Sequence, residues 1–257
     1  MIRAVLFDYG GTLVKEKQRW DEIRKASDRR VFRTLRAAGL RTTFRKFEQA
    51  NTEVFEKFRA IEAAEGRDIP DKTKYLELVD RLFGDLSAPR RESLAHEATE
   101  AFWSEGSKNF AIRRDTKPSL SKLKEMGILM GVVSNHHNSE ALIDHLSALG
   151  ILDFFQPVVA SCEAGWRKPD PRIFRLCLSR MGVSPEEAIF VGDLLDFDIL
   201  GAKGVGMHSV LIPDRVTGYR NVESVVKPDF VVRKLTEVPD IVAKLNRDRH
   251  ARRGTKR

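Results

Sequence analysis

The stretch ILMGVVSN, residues 128–135, decides how this chain folds. From Ile128 to Val133 it is apolar throughout but for one glycine, and it then breaks at Ser134-Asn135. A strand with no polar face must be covered on both sides, which is the condition of an inner strand of a parallel sheet. Its flanks fit. A helical pattern over Leu120 to Met126 stops at Gly127, and another over Glu140 to Leu149 stops at Gly150. Downstream the alternation goes on: strand Pro157 to Ala160, helix Pro171 to Met181, strand Ala188 to Val191, and a short helix ending near Gly204. Strands Ser209 to Ile212 and Phe230 to Val232 follow, and Ala4 to Phe7 adds one upstream. Ser184-Pro185-Glu186-Glu187 has the form of a capping box with proline in the first turn. Strands alternating with helices imply an α/β fold, a doubly wound parallel sheet.

Between the first strand and Lys117 the pattern is helical instead. Trp20, Ile23, Ser27, Val31 and Leu35 keep one period, stopping near Gly39. Thr43 is a candidate N-cap for a second helix, whose stripe of Phe44, Phe47, Val54, Phe55, Phe58 and Ile61 ends near Gly66. Tyr75, Val79, Leu82 and Phe83 mark a third helix, and Leu94, Ala98 and Phe102 a fourth. The expected organisation is an α/β core of residues 1–14 and 112–246, an inserted helical unit of 15–111, and a basic, disordered tail of 247–257.

A chain of 257 residues with 42% apolar content can build a sizeable core. The net charge of +8 invites a nucleic-acid reading, but the tail from Arg247 holds six basic residues and one acid, so most of the excess sits at one terminus. Nucleic acid is therefore not expected as the main partner. From Lys15 to Lys46 there are twelve basic and four acidic residues, a solvated face that could also steer an anion. No apolar run reaches the ~20 residues a membrane helix needs. The N-terminus lacks signal-peptide architecture, so the expected compartment is the cytoplasm. Cys162 and Cys177 are expected to be reduced, structural thiols.

Polar residues gather where the strands end. In such a sheet, ligands bind beyond the carboxyl ends of the strands. Asp8 follows the first strand, Ser134 and Asn135 follow the apolar strand, and Asp193 follows the strand ending at Val191. Lys168 stands in a loop that leads into a helix. Each has a plain reading alone, as a turn residue, a cap, a solvated lysine or an acid at a helix start. Together they supply carboxylates for a divalent cation, a hydroxyl and a fixed cation around one mouth, an inventory for handling a phosphoryl group.

On these residues the chain resembles the haloacid dehalogenase superfamily of hydrolases, over nearly its whole length. Asp8-Tyr9-Gly10-Gly11-Thr12 resembles that family's first motif, Asp-x-Asp-Gly-Thr. Val132-Val133-Ser134-Asn135 matches the second, Lys168-Pro169-Asp170-Pro171 the third, and Gly192-Asp193 with Asp198 the fourth. The helical unit after the first motif is similar to the family's first cap type.

The resemblance implies that Asp8 is a nucleophile that becomes an aspartyl-phosphate, later hydrolysed by water. It implies Mg2+ held by Asp8, the carbonyl of residue 10 and Asp193, with Asp198 close by, acting through a hydrogen bond or a water. Lys168 would offset charge on Asp8 and on the phosphoryl oxygens, which Ser134 and the amide of Asn135 would hold. Thr12 would brace the loop and take part in phosphate binding. The implied substrate is a small phosphorylated metabolite. Position 10 departs from the motif: the family's general acid and base stands there, and glycine has no side chain to do this. Such catalysis is typically worth ~10²–10⁴-fold.

Three readings follow from that departure. The chain is a slow phosphatase, or one with another acid, for which Glu16, Asp21 and Glu22 are candidates by proximity. Or it resembles phosphonoacetaldehyde hydrolases, which form a Schiff base on a cap lysine; Lys25, Lys46 and Lys57 are present. Or it binds a phosphorylated ligand with little turnover. His136 and His137 could touch substrate or cap a helix, and Trp166 could line the cleft or pack. The glycines of Gly201 to Gly206 do not follow the first strand, so they are not a dinucleotide fingerprint.

Overall fold

The computed structural model describes residues 1–213 and 226–254. Six parallel strands form the main sheet: β1 (Ala4–Phe7), β4 (Leu129–Ser134), β5 (Val158–Ala160), β6 (Ala188–Gly192), β7 (His208–Leu211) and β8 (Phe230–Val231). Their spatial order is β5-β4-β1-β6-β7-β8. β1 is therefore flanked by β4 on one side and β6 on the other, and the chain order reverses across it. Phe7 is in register with both Val132 and Val191. Asp8, Ser134 and Asp193 consequently emerge at one edge of three neighbouring strands.

Side chains alternate along the strands and feed two cores, one on each face. Val5, Phe7, Val132, Ile189, Val191 and Val210 belong to one, under α5 (Thr116–Glu125), α6 (Ser139–Ala148) and α10 (Val238–Gly254). Leu6, Val133 and Phe190 belong to the other, under α8 (Pro171–Met181) and α9 (Leu200–Gly204), with Ile173, Phe174 and Ala202 packed on them. Each such Val, Leu or Phe contributes roughly 1.5–3 kcal/mol on full burial, before cavity effects. A π-helical turn, Leu195–Ile199, joins β6 to α9.

Two short strands that the sequence did not reveal, β2 (Val14–Glu16) and β3 (Phe110–Ile112), pair antiparallel where the chain leaves β1 and where it returns. Between them stand α1 (Trp20–Ala37), α2 (Phe44–Glu65), α3 (Asp71–Phe83) and α4 (Ala88–Gly106). They share an apolar core that includes Val31, Leu35, Phe47, Tyr75, Leu78 and Phe102. Thr43 does cap α2, accepting from the Lys46 amide at 3.4 Å, and Gly66 ends it in the left-handed region. Ala141, from the first turn of α6, also packs into this core.

The basic stretch from Arg247, expected to be disordered, continues α10 as helix to Gly254, and 255–257 lie outside the described residues. Among the described residues no helix is long and apolar enough to cross a membrane. Cys162 and Cys177 are both free thiols, and burial pushes Cys177 up to about 12.

Candidate active site

β1 ends at Phe7, and the loop that follows passes close against the Asp193 side chain. Gly11 has φ +76°, and a Cβ there would lie 2.3 Å from Asp193 Oδ2. Only glycine lets the loop after Asp8 approach Asp193 so closely. A Cβ on Gly192 would meet Asp198 at 2.4 Å, so the fourth motif's glycine serves the same purpose. Gly10 is different. Its φ is not positive, and a Cβ there would meet nothing within 4 Å.

The expected residues converge. Asp8, Lys168, Asp193 and Asp198 are all buried, with 2% exposure for Lys168 and Asp193. Lys168 Nζ donates to Asp8 Oδ1 at 2.6 Å and to Asp198 Oδ1 at 2.7 Å. Asp198 Oδ2 accepts from the amides of Asp193 and Leu194 at 3.1 and 3.0 Å. Asp198 is thus fully engaged, holding the Asp193 loop with one oxygen and Lys168 with the other. Both Asp193 oxygens are buried and have no hydrogen-bond partner. Carboxylate oxygens of Asp8, Asp193 and Asp198 lie within 4.8 Å of one another.

Three carboxylates against one ammonium leave the site with a negative excess. Burial, above all, raises the Asp8 carboxyl, and Asp198 adds to this while Lys168 opposes it. Burial and the facing Asp8 and Asp198 raise Asp193. Lys168 is raised instead: burial disfavours its charge, but Asp198 and Asp8 outweigh that. A buried polar atom without a partner is costly. Two such atoms on one carboxylate, in a pocket short of positive charge, fit a hard divalent cation bound through oxygen. The free Asp193 oxygens and Asp8 offer ligands, whereas Asp198 is taken up by its own hydrogen bonds.

Ser134 ends β4, in register with Ala160, and is 4% exposed. The Asn135 side chain clasps the lysine loop. Its Oδ1 accepts from the Lys168 amide at 2.7 Å and its Nδ2 donates to the Lys168 carbonyl at 3.2 Å. Sequence reasoning missed this role, because the partner stands 33 residues away. The Thr12 hydroxyl, expected to brace its loop, is fully buried and has no hydrogen-bond partner. The bracing comes from elsewhere: Arg113 Nη1 donates to the Gly11 carbonyl at 3.4 Å, and Thr116 Oγ1 to the Leu13 carbonyl at 2.8 Å.

Of the acids near the first motif, Asp21 and Glu22 are exposed in the first turn of α1, and Asp21 lies 3.5 Å from Arg19. Among the named cap lysines, Lys57 pairs with Glu77 at 2.7 Å, while Lys25 and Lys46 are exposed. The helix after Ser134-Asn135 is capped by Asn138, whose Oδ1 accepts from the Ala141 amide at 3.1 Å. His136 packs against Trp103 with ring centroids 4.2 Å apart, and burial together with the neighbouring His137 pushes it down to about 3. His137 faces Asp68 at 3.0 Å. Trp166 carries the Arg172 guanidinium 3.2 Å above its ring.

Comparison with known proteins agrees with this geometry. Residues 2–206 match the family model described as a haloacid dehalogenase-like hydrolase. A glyceraldehyde 3-phosphate phosphatase of Methanopyrus kandleri is 33% identical over 251 residues, covering 96% of this chain and 100% of that protein. A phosphoserine phosphatase of Thermus thermophilus is 34% identical over 151 residues, covering 59% of this chain and 57% of that protein. Among solved structures, a 2-haloacid dehalogenase of Pseudomonas syringae superposes with TM-score 0.64 at 20% identity, covering 95% of this chain and all of that one. That last likeness is one of fold alone.

Proposed function

The chain belongs to the haloacid dehalogenase-like hydrolase family, and from that premise we propose that it is a magnesium-dependent phosphohydrolase acting on a small phosphate monoester. The observation that carries the reading is the buried pair Asp8 and Asp193, beside Lys168, with both Asp193 oxygens unpartnered. A dehalogenase of the metal-free kind would not be expected to keep the Gly192-Asp193 pair.

In this reading an Asp8 oxygen attacks phosphorus, the ester oxygen leaves, and the phosphoryl group becomes an aspartyl-phosphate. Water then attacks phosphorus, the Asp8–phosphorus bond breaks, and inorganic phosphate departs. Lys168 holds Asp8 in place and offsets charge on the transferring group. Ser134 and the Asn135 amide hold the phosphoryl oxygens, and Asn135's side chain keeps Lys168 aligned with them. Asp8, Asp193 and the Gly10 carbonyl would hold magnesium, which would supply the positive charge needed for a carboxylate and a phosphate dianion to approach. Gly10 offers the leaving alkoxide no proton, so it must take one from water. Esters with acidic leaving groups are the better substrates for that reason. The substrates named for the two phosphatase relatives set the size class proposed here: a small sugar or amino-acid phosphate.

Phosphate release with magnesium across a panel tests this, with glyceraldehyde 3-phosphate, phosphoserine, acetyl phosphate and phosphonoacetaldehyde as members. We expect turnover of small monoesters, fastest where the leaving group is acidic, and none from Asp8→Asn. Undiminished release by Asp8→Asn, or turnover of phosphonoacetaldehyde alone, would overturn the proposal.

A further inference from the structure

The loops that carry Ser134, Asn135 and Lys168 are held from outside the sheet as well as by each other. The short connection between α2 and α3 reaches both of them. Arg67 forms an antiparallel backbone bridge with Trp166, in the lysine loop. Asp68 accepts the hydroxyl of Ser161, whose oxygen in turn accepts the His136 amide at 2.8 Å. The Asp71 amide donates to the His137 carbonyl at 2.9 Å. A connection between surface helices ordinarily leaves its aspartates in water. Here the Asp68 side chain is 0% exposed, and its other oxygen lies 3.0 Å from His137 Nδ1.

We infer that Asp68 is a positioning residue: it transmits the docking of the helical insertion to the loops that hold and neutralise the phosphoryl group. The kinetic part of this inference rests on the phosphohydrolase reading, and the mechanical part does not. Two loops that arise from different strands meet one five-residue segment of the insertion. Withdrawing that segment frees the His137 carbonyl, the bridge at Trp166 and the Ser161 hydroxyl that accepts the His136 amide together.

Docking also depends on charge. The groups facing His137 are Asp68, Glu62 at 3.7 Å, Asp71 and Lys74 from the insertion, and His136 from its own loop. Burial and Lys74 disfavour its charged form, but Asp68 and Asp71 more than offset them, and His137 is raised. Burial pushes Asp68 up, but His137 and Ser161 prevail and hold it at about 2. Asp68 therefore stays ionised at ordinary pH, and His137 is the partner that titrates. A raised histidine stabilises the paired state below its free value and loses that contribution as pH rises through the bound one. The two loops should loosen toward alkaline pH.

Hydrogen exchange of the intact protein, read by mass spectrometry on peptides around 134–138 and 68–74, tests the inference directly. In Asp68→Ala and in the milder Ser161→Ala, the His136 and Asp71 amides should exchange about tenfold faster, the upper end of what a neutral hydrogen bond is worth. Amides of β1 and β6 should be unaffected. Asp68→Asn keeps an acceptor for Ser161, so it should restore most of the protection while flattening its dependence on pH. In the same variants kcat for a phosphate ester should fall by about 10- to 100-fold through misplacement of the loops. A merely structural role would lower stability without moving those two amides selectively or altering the pH profile. Unchanged exchange at His136 and Asp71 in both Asp68→Ala and Ser161→Ala would overturn the inference. So would loosened amides with unchanged kcat. Were the wild-type protein to hydrolyse no ester, the phosphohydrolase reading would fall alone, and exchange would still decide the mechanical claim.

Discussion

Two buried clusters of this molecule hold the same inventory, three carboxylates and one lysine, and differ in what is left over. In one, Asp8, Asp193 and Asp198 surround Lys168. In the other, Glu62 and Asp71 lie 2.9 and 3.3 Å from Lys74, and Asp68 stands alongside with His137. Proximity alone does not separate them, since Glu62, Asp68 and His137 offer ligand atoms as closely grouped as the first set. Their hydrogen bonds do. Asp71 also accepts from Trp103 Nε1 at 3.0 Å, Glu62 from the Ile69 amide at 3.0 Å, and Asp68 from Ser161. That cluster already contains its cation. In the first cluster, Lys168 and two amides are spent on Asp8 and Asp198, and Asp193 receives nothing. Asp68 Oδ1 also lacks a hydrogen-bond partner, but it lies 3.0 Å from His137 Nδ1, whereas neither Asp193 oxygen has a hydrogen bond or an ion pair. Acceptors with neither, rather than charge count, distinguish a cation site from a latch.

The contrast can be broken most forcefully at Lys74. Lys74→Met leaves three buried carboxylates with His137 as their remaining cation. Removing one partner of a buried ion pair costs about 3–5 kcal/mol, read as a lowered urea midpoint with an unchanged slope. A loss below about 1 kcal/mol would mean the second cluster is open to water and resembles the first after all.

The next effect is kinetic and belongs to the first cluster. Gly10 has room for a side chain and a backbone that any residue can adopt. Gly10→Asp should therefore fold normally and raise turnover of an alkyl phosphate by about 10²-fold, the lower end of what general acid–base catalysis supplies. Acetyl phosphate, whose leaving group needs no proton, should gain little. Equal rates for both substrates before and after the change would refute the missing-acid account.

Much of the first cluster was legible in the sequence, because its members follow apolar runs in β1, β4 and β6 and parallel pairing aligns those strand ends. Asp198 was legible as a neighbour of the site, through its spacing from Asp193. The helices of the insertion were legible through their 3.6-residue period. The second cluster was not. Its residues are polar, lie on two helices and two loops, and show no periodicity that marks them as buried. The strands β2 and β3 were too short, at three residues each, to show alternation. The support of the first-motif loop by Arg113 and Thr116 was not legible either, and the Thr12 hydroxyl has no hydrogen-bond partner there. Contacts that depend on which surfaces meet leave little trace in a single sequence.

The central claim is that the open cluster takes a divalent cation and the closed one does not. Crystals soaked in Mn2+, with anomalous scattering recorded at the manganese edge, test this most directly. The account predicts one peak between Asp8 and Asp193 and none among Glu62, Asp68 and His137. A peak at the second cluster, or an empty first cluster at saturating ion, would contradict it.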